Sequence, residues 1–117
     1  MDTFIYKIAT RDQWNAAQAA GIFRGAPIDL DDGYIHFSTA AQARETASKH
    51  FKGQSDLLIL TVATAALGTA LKYEPSRGGQ LFPHLYAPLA IEAVQKVDPL
   101  PLASDGHHIF PEHMDAT

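Results

Sequence analysis

The alternation of apolar and polar positions divides the chain into short elements. Residues 4–8, FIYKI, are β-branched and aromatic and predict a strand, which hands over at Thr10 and Gln13 to the T-x-x-Q form of a helix capping box. Trp14 and Ala17 recur at helical spacing, and Gly21 is a plausible stop. Residues 22–32 read as irregular, with Gly25, Pro27 and an Asp31-Asp32-Gly33 turn signal. GYIHFST, residues 33–39, then alternates: Ile35 and Phe37 should face a core, with Tyr34, His36 and Ser38 along the opposite face. A second capping box, Thr39 with Gln42, opens a helix that should turn Ala43, Ala47 and Phe51 inward and stop at Gly53.

LLILTV, residues 57–62, is too short for a good helix and predicts a strand buried on both faces, the centre of the sheet. A helical turn at 64–68, a strand at 71–74 ended by Pro75 and a polar loop at 76–80 follow. Two prolines make LFPHLYAPL, residues 81–89, extended but irregular. Residues 91–97 read as a further strand, 106–110 as an edge strand and 111–117 as a frayed tail. Strands and short helices mix without a βαβ repeat, so the expected fold is α+β, one compact domain over residues 1–110 with two or three short helices.

Composition narrows the function classes. A formal charge of −4 with no basic block argues against extended nucleic-acid binding, yet leaves room for one small phosphate site. With no cysteine there is no thiolate nucleophile, disulfide or Cys-based zinc site. MDTFIYKIATRD lacks the apolar run of a signal peptide, and no segment approaches membrane-spanning length, so the expected address is the cytoplasm, with no membrane partner.

Three stretches carry candidate chemistry. The polar line ending at Ser38 abuts a helix start, where His36, Ser38 and Thr39 could donate to a phosphate or carboxylate; capping alone also accounts for Ser38 or Thr39. In LFPHLYAPL an extended chain projects Phe82, His84 and Tyr86 to one side, a histidine between aromatics suited to a planar ligand or to packing in a structural loop. Glu74 ends a strand just before a Gly-Gly loop bearing Arg77, which suits an acid or base and an anion clamp, or an exposed ion pair. No metal site is expected: His107 and His108 project to opposite faces if extended, and Asp29, Asp31 and Asp32 look like turn residues.

Taken together, Gly33-Tyr34-Ile35-His36-Phe37-Ser38 and Phe82-Pro83-His84-Leu85-Tyr86-Ala87-Pro88-Leu89 resemble the two signature runs of the bacterial family called domain of unknown function 952. The N-terminal IYKI fits as well, and the resemblance covers about residues 5–100. It implies a fold similar to the ADP-ribosyltransferase core, a bent, split, mostly antiparallel sheet with NAD in a cleft, which makes NAD a candidate substrate and leaves no certain cofactor. By position it places family sites within residues 5–8, within residues 34–38 and near Glu74 or His84; with the stretches above, the candidate catalytic residues are His36, Glu74 and His84. Substrate contacts fall to Tyr6, Lys7, Tyr34, Ser38, Thr39, Arg77, Phe82 and Tyr86. Lys7 departs from the family's IYHI pattern and lacks a histidine's paired donor and acceptor.

Three functions remain open on these grounds. One is a transferase or hydrolase acting on NAD or another ribose-phosphate compound. The second is a non-catalytic nucleotide-binding module. The third is an interaction protein with a patch of Phe82, Tyr86 and Leu89, and the oligomeric state is left open.

Overall fold

A computed structural model describes residues 2–116, apart from the side chains of Arg77, Asp115 and Ala116. Its elements run β1 (Phe4–Thr10), α1 (Arg11–Ala20), β2 (Ile22–Phe23), α2 (Pro27–Asp32), β3 (Ile35–His36), α3 (Ala40–His50) and β4 (Leu57–Ala63). After two short 3-10 turns come β5 (Leu71–Pro75), β6 (Leu81–Leu85), β7 (Leu89–Ala90) and β8 (Val94–Pro99).

Local sequence explains both longer helices. Thr10 and Thr39 each accept a bond from the backbone N–H of the glutamine three residues on, whose side chain bonds back. Gly21 ends α1 in the left-handed region at φ 79°, a conformation that side chains resist. Phe51 caps α3 and is only half-buried, and Gly53 lies just beyond it.

The strands form three antiparallel groups: β1-β4-β8, β3-β6-β5 and the pair β2-β7. β4 is central, as its unbroken apolar run requires. Leu58, Leu60 and Val62 enter a core with Ile5, Trp14, Phe23, Phe37 and Leu85, while Leu57 and Ile59 enter a second core with Ile8, Ala43, Ala47, Leu100 and Met114. A bridge between Tyr6 and Ser38, with two backbone bonds of 2.8 Å, ties the first sheet to the second. The described residues form a single α+β domain with three α-helices and mostly antiparallel sheets, and no described helix is long and apolar enough to cross a membrane.

Three expectations need correction, and the tail adds an observation. Residues 22–32 are not irregular but hold β2 and α2, because β7 pairs with Ile22 and Phe23 and Pro27 stands in the first turn of α2. Residues 91–93 form a 3-10 turn, and the strand starts only at Val94. No strand spans 106–110; one isolated bridge joins Leu102 to His108. The segment after Pro111 turns into a 3-10 helix over Glu112–Ala116, with Met114 only 3% exposed, because that side chain completes the second core; Thr117 lies outside the described residues.

Candidate functional site

β3 and β6 pair so that His36 stands opposite His84, which brings the two histidine-bearing runs together. The alternation of extended chain places Tyr34, His36, His84 and Tyr86 on one face. Tyr34 stacks on His84 at 4.1 Å between ring centroids, and the two imidazoles meet edge to face at 5.6 Å. Both histidines line a cleft of about 700 Å³, together with Tyr6, Lys7, Asp32 and Ser38.

Glu74 on β5 reaches across to the next strand, where its Oε1 accepts from His84 Nδ1 at 2.8 Å and from the Tyr86 hydroxyl at 2.6 Å. A carboxylate only accepts, so the hydrogen on His84 sits at Nδ1 and the lone pair of the neutral ring at Nε2. Nothing among the described residues bonds Nε2. The bonds from Tyr86 and then His84 hold the Glu74 carboxyl below its usual range, and the same contact pushes the Tyr86 phenol up to about 12.

His36 is held differently. Its Nδ1 lies 2.6 Å from Asp29 Oδ1 and its Nε2 lies 3.0 Å from Asp32 Oδ2. Asp29 is the hub beneath. It is 2% exposed and also accepts from Lys7 Nζ at 2.8 and 3.0 Å, from the Ala26 N–H at 2.8 Å and from the His36 N–H at 3.0 Å. Burial pushes its carboxyl up, but the bonds from His36 and the charge of Lys7 outweigh that and bring it down to about 2. Lys7 is also buried, and burial pulls its ammonium below the usual lysine range against the opposing effect of Asp29. Gly25 allows the hub to form: a Cβ there would lie 2.7 Å from Asp29 Cβ.

The remaining candidates divide. Tyr6, Lys7, Ser38 and Phe82 line the cleft, though Ser38 Oγ bonds Thr46 Oγ1 at 2.8 Å and Phe82 is 6% exposed. Thr39 faces a separate hollow with Asp2, Thr3 and Phe4, and its hydroxyl is engaged by the cap of α3. The Arg77 side chain lies outside the described residues. Phe82 and Leu89 are buried, so they form no exposed patch with Tyr86. His108 and His113 are tied to Gln54 O and to Asp98, each at 2.8 Å.

Asp29 and Asp32 were missed by the sequence reading, which took both for turn residues. A signal existed: Lys7 is the one charged residue in a strand whose pattern predicts burial, and a buried ammonium needs a carboxylate.

Comparison with known proteins gives a structural relative and no assigned activity. The crystal structure of CC0527 from Caulobacter crescentus is 48% identical over 97% of this chain and 99% of its own, with a TM-score of 0.92. The solution structure of the same protein, 47% identical over 99% of this chain and 97% of its own, gives a TM-score of 0.83. No functionally curated protein matches the sequence. Residues 8–97 match the family described as Protein of unknown function (DUF952), and the chain belongs to that family.

Proposed function

We propose that the cleft is the active site of a small transferase or hydrolase acting on NAD or another ribose-phosphate compound. The observation that carries this reading is the Glu74–His84 pair. An imidazole on the wall of a cleft whose Nδ1–H is fixed by a carboxylate, and whose Nε2 has no partner among the described residues, has the arrangement of a general base. Two small antiparallel sheets joined at Tyr6 and Ser38 also fit the split, bent core of the ADP-ribosyltransferase fold.

In this reading His84 Nε2 takes the proton of an attacking hydroxyl, from water or from an acceptor. That oxygen bonds the anomeric carbon of the ribose as the bond to nicotinamide breaks, and the bonding pair leaves with the nicotinamide nitrogen. Positive charge develops on the ribose as this happens, and the Glu74 carboxylate lies one hydrogen bond behind the base, where it stabilises the imidazolium that forms.

The test follows nicotinamide release from NAD by the parent protein and by Glu74→Gln and His84→Gln. Each substitution should lower turnover about a hundredfold or more while melting temperature changes little. Unaltered turnover in both removes the pair from the chemistry. Stabilisation of the protein by NAD without any product would leave the cleft as a nucleotide-binding module.

A further inference from the structure

His36 has two unlike sides. On the Nδ1 side the partner is fixed: the Asp29 side chain is 1% exposed, and both its oxygens are occupied by Lys7, by His36 and by two backbone N–H groups. The Nε2 side faces Asp32 Oδ2 at 3.0 Å, a side chain 40% exposed at the end of α2 that has no other partner among the described residues. Asp32 and His36 both line the cleft.

Charge decides what can stand on Nε2. Carboxylates only accept hydrogen bonds, so a ring that faces one with each nitrogen is satisfied on both sides as the imidazolium. Lys7 and the imidazolium then carry two positive charges against the single negative charge of Asp29. Asp32 supplies the charge that closes the sum, from an exposed position where an ion pair is weak and easily exchanged.

We propose that Asp32 stands in the anion position of this cleft, competing for His36 Nε2 with the phosphate of a ribose-phosphate ligand. The assignment rests on the reading of the cleft given above, and adds to it a phosphate subsite and an internal competitor that the ligand displaces. His84 and His36 then divide the ligand between them: sugar at the free Nε2 of His84, phosphate at the Nε2 that Asp32 vacates. The rings beside His36 are Tyr34 at 4.6 Å and His84 at 5.6 Å, and the nearby Glu74 carboxylate is engaged by His84 and the Tyr86 hydroxyl, which leaves Asp32 as the competing anion.

The experiment titrates inorganic phosphate, ribose and ribose 5-phosphate into the parent chain and into Asp32→Asn and Asp32→Ser. Imidazole nitrogen NMR reads His36 and His84 separately, after the amide spectra have shown both variants folded. Phosphate should bind both variants about two- to fivefold more tightly than the parent and move the His36 signals, while ribose alone moves only those of His84. Equal or weaker phosphate binding in the variants overturns the proposal, as does phosphate that leaves His36 unmoved or fails to bind at all. If phosphate behaves as expected but neither ribose nor ribose 5-phosphate moves His84, the anion subsite stands and the enzymatic reading of the cleft fails.

Discussion

A lysine in the middle of a buried strand must find an acid, and here Asp29 meets Lys7, His36 and two backbone N–H groups at once. The folded carboxyl is held at about 2 against an ordinary 3.8. A value lowered by folding means that the stabilisation is complete above about pH 4 and is lost as the pH falls through about 2, and a shift of this size corresponds to about 2 kcal/mol. The stability gap between the parent protein and Asp29→Asn should therefore narrow by about 2 kcal/mol between about pH 5 and about pH 2, read from denaturant midpoints. A gap independent of pH would mean that the fold does not hold this carboxylate ionised. At this scale the two histidines and Glu74 were legible because they sit in strands, where alternation says which side chains share a face. Lys7 called for a carboxylate, but Asp29 was not legible as that one, because its partners come from β1 and β3 and nothing within α2 itself points to them.

Elements whose cause is local were readable, and those that depend on a partner were not. Both capping boxes close within four residues, so Thr10 and Thr39 announce α1 and α3. β2 and β7 are two residues each and exist only as each other's partner. The central strand carries one irregularity. Thr61 lies in β4 where the register against β8 shifts, and its buried hydroxyl has no bond among the described residues. Valine keeps the shape and removes the unsatisfied oxygen, so Thr61→Val should leave stability unchanged or raise it by up to about 1 kcal/mol. A fall in the thermal midpoint would show that the hydroxyl finds a partner after all.

Across the whole molecule, two cores share β1 and β4, and the chain after β8 returns to close the second. Met114 is buried with Leu57, Ile59 and Leu100. Met114→Ala should cost about 2–5 kcal/mol, measured by chemical denaturation, if residues 112–116 are part of the domain. A tail that merely frays would give no change. The tail's sequence, polar on either side of one methionine, does not announce this packing, and only the open end of the second core gives that methionine somewhere to go.

Strand and helix periodicity, the caps of α1 and α3 and the central place of β4 were set by residues within a few positions of one another, so the sequence alone determined them. The facing of His36 with His84, the reach of Glu74 to His84 and the Lys7–Asp29 pair join residues 48, 10 and 22 positions apart. Those separations carry no local signal, because a contact between distant segments is decided by which strands pair and in what register. Tertiary structure therefore decided the site, and it turned two aspartates that read as turn residues into the partners that hold one histidine on both sides.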